Sequence, residues 1–182
     1  MNRVMVIGVS AGVGKSTFTR KLGQMLHIPV YHLDAYFWKP GWIEASNEEF
    51  SEAQRTLVEK EKWIIEGNYS KTIHIRESSC DTVIYLELPL RTCLYRVVKR
   101  FFTNIGNTRP DMTIGCTEKL DWKFIKFIIS TYFARKEKMK DKLKQYESMG
   151  KKVIVLKNKE EIRSYFQLAE TNQGDSLSND QI

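Results

Sequence analysis

The ten residues Gly8-Val9-Ser10-Ala11-Gly12-Val13-Gly14-Lys15-Ser16-Thr17 constrain this chain more than any other stretch. They follow an apolar run, Val4-Met5-Val6-Ile7, that reads as a buried strand. They precede Phe18, Leu22, Met25 and Leu26, which recur at helical spacing. A strand, a glycine-rich turn, Lys-Ser and a helix, in that order, make a phosphate-binding loop. Glycines let backbone N–H groups turn inward and approach phosphate oxygens. The helix N-terminus adds about half a positive charge. Lys15 has the length to reach β- and γ-phosphates, and the Ser16 hydroxyl suits Mg²⁺. Ser10, Ala11, Gly12, Val13, Gly14, Lys15, Ser16 and Thr17 are therefore expected to bind nucleotide. The motif departs from its strict form at one place. Glycine is wanted six positions before Lys15, and Val9 stands there. The departure restricts the turn but removes no donor, because the donors are backbone N–H groups.

At 182 residues the chain suits one domain, expected over 1–170, with 171–182 a polar, unpatterned tail read as disordered. No apolar run approaches the ~18 residues of a membrane span. Met1-Asn2-Arg3 runs straight into the first strand, so no leader is expected. Cys80, Cys93 and Cys116 are odd in number and widely spaced, which fits neither a disulfide framework nor a zinc site. A reducing, cytoplasmic location is the expectation that fits best. The net charge of +7 is uneven, because residues 91–152 alone carry 16 Lys/Arg against 6 Asp/Glu. Such a segment points to phosphate, in a nucleotide or a nucleic acid. The lysines of Lys136 to Lys144 read as a solvated helix face.

Strands and helices alternate, which argues for a mostly parallel sheet covered by helices on both faces. Strands are expected at Arg3–Gly8, Ile28–Leu33, Trp63–Ile65, Asp81–Glu87 and Val153–Leu156. Helices are expected at Ser16–Leu26, from Pro89 to Phe102, and near Glu160–Leu168. Ser46-Asn47-Glu48-Glu49 is a capping-box signature for a helix over Asn47–Glu61. Residues 103–118 contain Gly106, Pro110 and Gly115 and read as a mobile lid loop. The helical pattern that follows is long, so a break near Thr131–Arg135 is expected. Ligands bind at the carboxyl ends of such strands, which here present the phosphate loop, Asp34, Glu66-Gly67-Asn68-Tyr69 and the segment after Glu87.

Tyr31-His32-Leu33-Asp34-Ala35-Tyr36-Phe37-Trp38-Lys39-Pro40-Gly41-Trp42 closely resembles the segment after the phosphate loop in bacterial topology-modulation (FlaR-type) proteins. So do Trp63 to Ser70, Thr108-Arg109-Pro110-Asp111-Met112 and Glu118-Lys119-Leu120-Asp121-Trp122. The resemblance covers residues 1–150. It implies a three-layer α/β/α P-loop NTPase fold like that of adenylate kinase, with a five-stranded parallel sheet of order 2-3-1-4-5 and a lid. ATP and Mg²⁺ would be the cofactors.

Adenylate kinases carry an arginine seven positions after the proline that follows strand four. Counted from Pro89, that is Arg96, which would lie against adenine. Their second arginine, eleven positions on, is Arg100 and would reach phosphate. A spacing of four puts Arg96 and Arg100 on one helix face. Arg109 would be a lid arginine that arrives on closure, and Arg135 is a further candidate. Glu66 stands where related kinases place an acid that meets Mg²⁺ through water. The acceptor side departs from adenylate kinase, since positions 22–38 hold no Lys or Arg. Instead, Asp34 to Pro40 is similar to the segment after strand two in uridine kinase and nicotinamide riboside kinase, where an aspartate meets the accepting hydroxyl. Trp38 and Trp42 fit either base stacking or packing at the margin of the core. His32 reads as a core or supporting histidine.

The reading is an ATP-dependent phosphotransferase acting on a small hydroxyl or phosphate acceptor, nucleoside- or nucleotide-like. Lys15, Asp34, Arg100 and Arg109 are its candidate catalytic residues, Arg96 binds nucleotide, and Ser16 and Glu66 hold the metal. The alternative is a DNA-topology-modulating regulatory ATPase that grips DNA through the basic 91–152 segment. A nucleotide-binding module without turnover is a third reading.

Overall fold

The structure is a computed structural model and describes residues 1–104 and 106–178. In chain order the elements are β1 (Arg3–Gly8), α1 (Lys15–Leu26), β2 (Val30–His32), α2 (Asp34–Phe37), β3 (Trp38–Lys39), β4 (Ile43–Glu44) and α3 (Asn47–Val58). There follow β5 (Trp63–Glu66), a 3-10 turn (Ser70–Thr72), α4 (Ile73–Ser79), β6 (Thr82–Leu86), α5 (Leu90–Thr103), α6 (Trp122–Ser148), β7 (Lys152–Leu156) and α7 (Lys159–Ser178).

Val4, Met5, Val6 and Ile7 are buried along β1, and Ile64, Ile65, Val83 and Ile84 are buried on the strands beside it. Near-continuous apolar runs of this kind are what a sheet covered on both faces requires. Each such side chain contributes about 1.5–3 kcal/mol by leaving water. β1 pairs in parallel with β5 on one side and β6 on the other. β2 extends the sheet beyond β5 and β7 extends it beyond β6, both parallel. The order β2-β5-β1-β6-β7 is 2-3-1-4-5 when the five sheet strands are counted alone, as expected. The chain changes winding direction at β1, so a crevice opens at the carboxyl end of that strand. α1 packs on β1, β2 and β5, while α6 and α7 pack on β7. Phe18 of α1 meets Phe166 of α7 with ring centroids 5.0 Å apart.

The capping box at Ser46 forms: Glu49 N–H donates to Ser46 Oγ, and Ser46 N–H donates to Glu49 Oε2. The helix it starts ends at Val58, three residues earlier than expected.

Two expectations are corrected. The helix after the lid does not break near Thr131–Arg135: α6 runs 27 residues without interruption. No Gly or Pro falls between Trp122 and Ser148, and the Thr131 hydroxyl bonds back to Phe127 O at 2.7 Å. Its length, roughly 40 Å, is held by the body at spaced points. Tyr132 OH donates to Leu88 O at 2.9 Å, Lys136 pairs with Glu87 at 2.9 Å, and Tyr146 OH donates to Glu77. The last helix, expected to stop near Leu168, continues to Ser178, so part of the tail read as disordered is helical. Extending a helix costs far less than nucleating one, and no proline stops this one. Residues 179–182 of that tail lie outside the described residues.

The short α2, the β3–β4 hairpin and α4 have no periodic pattern long enough to announce them. The hairpin turns through Pro40-Gly41-Trp42, and Trp42 takes a positive φ of 65°.

Candidate active site

The loop after β1 explains its own departure from the strict motif. Val9 is buried, and its N–H donates to Leu86 O at 2.9 Å, so it continues the strand and needs no glycine. The glycine falls one residue earlier. A Cβ on Gly8 would lie 2.5 Å from Val13 Cγ1, so only glycine lets the loop fold back over the strand end. Gly12 is fixed twice over. Its φ is +76°, and a Cβ there would meet Cys93 O at 2.2 Å. Asn68 clamps the base of the loop, accepting from Gly8 N–H at 3.0 Å and donating to Gly8 O at 2.9 Å. Ser10 is fully buried, and its hydroxyl has no hydrogen-bond partner among the described residues. Arg96 Nη1 donates to Val13 O at 2.8 Å, which puts its guanidinium beside Gly14. Ala11, Lys15 and Ser16 are half-buried and Thr17 is exposed.

Glu66, at the end of β5, is the hub of the crevice and only 3% exposed. Its Oε1 accepts from Ser16 Oγ at 2.9 Å and lies 2.9 Å from His32 Nδ1. Burial works against the Glu66 carboxylate, but the His32 contact, Lys15 and the Ser16 hydroxyl hold its pKa below the usual glutamate value. Ser16 and Glu66 together offer hard oxygen donors, the set that Mg²⁺ prefers. The orphaned Ser10 hydroxyl, the bent-back loop and these donors fit a Mg²⁺-nucleotide.

Asp34 begins α2 immediately beyond β2. Tyr69 OH donates to Asp34 Oδ1 at 2.6 Å. The Tyr69 ring is held 4.9 Å from Phe37 and 4.7 Å from Phe50. Burial and the nearby Glu66 charge push the Asp34 pKa up, while Tyr69, Lys15 and Arg109 pull it down. The net direction is upward. Burial and the Asp34 charge push the Tyr69 phenol well up, so it stays a proton donor. Behind this pair lies Arg76, completely buried on α4. It donates to Gly67 O at 2.8 Å and to Gln54 Oε1 at 3.1 Å, bracing the turn that carries Asn68 and Tyr69. Burial lowers its pKa to about 10.

Residues 106–121 fold across the crevice. Arg109 Nη1 donates to Asp111 Oδ2 at 2.9 Å. Arg109 Nε lies 2.7 Å from Glu118 Oε2, a close charge pair whose N–H points off the line of contact. Arg100 Nε donates to the other Glu118 oxygen at 2.8 Å. Asp111 is buried, yet Arg109 and the Ser16 hydroxyl keep its pKa below the usual aspartate value. The segment is seated on the hairpin region. Thr113 Oγ1 donates to Ala35 O at 2.9 Å and Gly41 N–H to Gly115 O at 3.2 Å. Cys116 Sγ donates to Lys39 O at 3.2 Å, and Trp42 Nε1 donates to Thr117 O at 2.9 Å.

The crevice therefore brings together Lys15, Ser16, Asp34, Glu66, Arg96, Arg100 and Arg109. Trp42 joins the lid seat and packs edge-on to Trp38 at 5.3 Å. Arg135 stands apart, over the Phe127 ring at 4.7 Å on α6. The sequence did not single out Asp111 and Glu118 as partners of the arginines. Gln54 and Arg76 were missed outright, because a buried polar pair carries no spacing signature.

No protein-family model matches the chain, and no curated protein does. Solved structures do. Shikimate kinase from Bacteroides thetaiotaomicron, 16% identical, superposes with a TM-score of 0.53 over 94% of this chain and 98% of its own. Shikimate kinase from Aquifex aeolicus, 18% identical, gives 0.52 over 94% and 98%. Shikimate kinase from Acinetobacter baumannii, in complex with shikimate, is 14% identical and gives 0.50 over 100% and 97%. The fold is shikimate kinase-like. It is the P-loop kinase fold that the phosphate loop and the strand order lead to. No described helix is long and apolar enough to cross a membrane.

Proposed function

We propose that the chain is an ATP-dependent phosphotransferase that moves the γ-phosphoryl group of ATP to a hydroxyl of a small acceptor. One arrangement carries the reading: Tyr69 holds the Asp34 carboxylate at 2.6 Å, three residues past Glu66, which itself meets Ser16 of the phosphate loop at 2.9 Å. A simple nucleotide-binding module has no use for a half-buried carboxylate held opposite its phosphate-binding lysine.

Phosphoryl transfer asks for positioning and charge neutralisation more than covalent chemistry. Backbone N–H groups of Ser10 to Thr17 and the Lys15 ammonium would hold the triphosphate. Ser16 and, through water, Glu66 would hold Mg²⁺, which neutralises charge on the β- and γ-oxygens when bound. His32 would keep Glu66 oriented. Arg96, planar and braced on Val13 O, would lie against the base. The acceptor oxygen attacks the γ-phosphorus, the bond to the β–γ bridging oxygen breaks, and the hydroxyl proton passes to Asp34. Tyr69 would fix the free rotation of that carboxylate. Arg100 and Arg109 would trade Glu118 and Asp111 for phosphate oxygens as the lid closes on substrate.

Part of the basic segment on which the DNA-binding alternative relies is engaged within the chain. Lys136, Lys140 and Lys142 are paired with Glu87, Glu137 and Glu77.

The test is a panel of hydroxyl compounds, including nucleosides, their 5′-monophosphates, sugars and shikimate, incubated with ATP and Mg²⁺. Acceptor-dependent ADP release with a new phosphoester supports the reading. ADP release that no acceptor changes, with no phosphoester formed, overturns it.

A further inference from the structure

We propose that Arg76 is a positioning residue that sets both walls of the crevice at once, the phosphate loop through Asn68 and the Asp34 carboxylate through Tyr69. The Asp34 half rests on the phosphotransferase reading, and the phosphate-loop half stands without it.

Both clamps come from two adjacent residues of one turn. Asn68 accepts from Gly8 N–H at 3.0 Å and donates to Gly8 O at 2.9 Å, at the base of the phosphate loop. Tyr69 OH donates to Asp34 Oδ1 at 2.6 Å. Gly67 precedes them with a φ of +142°, a conformation open to glycine and to little else. The freedom that a glycine brings has to be removed from outside if the two clamps are to hold their aim.

Arg76 removes it at both ends of the turn. Gly67 N–H donates to Val6 O on β1 at 3.2 Å, and Arg76 Nη1 donates to Gly67 O at 2.8 Å. Arg76 Nε donates to Gln54 Oε1 at 3.1 Å, and Gln54 Nε2 donates to Thr72 Oγ1 at 2.8 Å. Thr72 N–H in turn donates to Tyr69 O at 3.2 Å. The turn is therefore bracketed, at Gly67 directly and at Tyr69 through Gln54 and Thr72. All three supporting side chains are buried. A guanidinium suits the task because its Nε and Nη1 donate in fixed directions within one plane, which sets Gly67 O and Gln54 Oε1 relative to each other. An ammonium has no such fork.

Filling space does not account for this residue. Arg76 is completely buried, and none of the ion pairs among the described residues includes it. Its Nη2 has no hydrogen-bond partner among them either. A buried charge without a counter-ion is costly, and an unbranched apolar side chain would fill the same space without that cost. What the arginine adds is the pair of aimed hydrogen bonds.

The experiment is a set of double-mutant cycles. Arg76→Met and Arg76→Lys are each combined with Tyr69→Phe and, separately, with Asn68→Ala. Transfer to an acceptor reads the Tyr69 arm, and titration with a non-hydrolysable ATP analogue reads the Asn68 arm. Thermal midpoints are followed in parallel. Arg76→Met should lose about ten-fold or more in kcat/KM for acceptor, within the ~10² that a misplaced group can cost. It should also weaken analogue binding. Arg76→Lys should restore neither, since it keeps the charge and loses the fork. In both backgrounds Tyr69→Phe and Asn68→Ala should each cost less than about two-fold further on their own readout, the margin within which independent effects add. Losses that multiply as for independent sites overturn the inference. So does wild-type behaviour in Arg76→Lys, and so does a lowered midpoint with both readouts unmoved. If neither Arg76 variant folds, Gln54→Leu, which leaves the arginine in place and removes its link to Thr72, carries the same cycles. If the wild-type chain phosphorylates no acceptor, the phosphotransferase reading fails, and the Asn68 arm still decides for or against Arg76.

Discussion

The hydroxyl of Tyr69 lies 2.6 Å from Asp34 Oδ1, and the two residues come from different strand ends, 35 positions apart in the chain. The bond fixes one carboxylate oxygen, and in the proposed mechanism the other takes the acceptor's proton. Tyr69→Phe keeps the ring between Phe37 and Phe50 and removes only the hydroxyl. Turnover with acceptor should fall about ten-fold, less than the ~10²–10⁴ that a positioned base supplies. The KM for ATP should stay within two-fold, roughly the precision of such a measurement. A matching loss in ATP affinity would show that Tyr69 supports the nucleotide site instead.

Asp34→Asn keeps the size of the side chain and most of its hydrogen bonding but takes away the proton acceptor. Acceptor phosphorylation should drop ~10²-fold or more. Nucleotide binding, read by fluorescence titration with an ATP analogue, should change little. Equal losses in both would move Asp34 onto the metal shell.

Asp34 and Glu66 are shifted in opposite directions, and the signs separate their pH signatures. Burial and Glu66 raise Asp34 above the ordinary 3.8. The base form requires loss of that proton, so kcat/KM should rise with pH through a value above the ordinary aspartate range. Tyr69→Phe removes a pull that lowers Asp34, so the same limb should move higher still. Stability follows the same logic. The contribution of Asp34 is complete below its unfolded pKa and is lost as pH rises through the raised folded value. Glu66 is depressed despite burial, because His32, Lys15 and Ser16 favour its charge. Its contribution is present above its unfolded pKa and is lost as pH falls through the depressed folded value. A kcat/KM limb at or below the ordinary aspartate range would remove Asp34 as the base.

Lys15→Ala should abolish turnover without unfolding the chain, since the ammonium faces the crevice and the stem is only half-buried. Circular dichroism should be unchanged while ADP release falls to background. Wild-type turnover in this variant would end the phosphate-loop reading.

Gly12→Ala tests the loop as a packed object. The new methyl would meet Cys93 O at 2.2 Å on a backbone with φ +76°. A strained backbone position of this kind costs roughly 1–3 kcal/mol. The thermal midpoint should fall by several degrees. An unchanged midpoint would mean that the loop and α5 separate freely.

The central sheet was legible because parallel strands buried on both faces leave apolar runs, and Arg3–Gly8 and Trp63–Glu66 fall within a residue of where those runs sit. The strand order came from resemblance, since spacing alone does not order a sheet. Ser16, Glu66 and Asp34 were legible because each ends a strand or begins a helix at the crevice. The Glu118 bridge between Arg100 and Arg109 was not, because it joins a helix to an irregular segment whose conformation no local pattern sets. The break expected in α6 failed for a related reason. Helix length alone suggested it, whereas Tyr132, Lys136 and Tyr146 tie the continuous rod to the body through contacts distant in sequence.

The lid seat grips mostly main-chain atoms. Ala35 O, Lys39 O and Gly41 N–H are contacts on the hairpin side, and Trp42 contributes its indole N–H. A latch that reads backbone shape is indifferent to most of the side chains around it. Side chains of the hairpin region can therefore change while these main-chain contacts stay the same. Under the proposed mechanism, diversification of substrate and preservation of closure are separable.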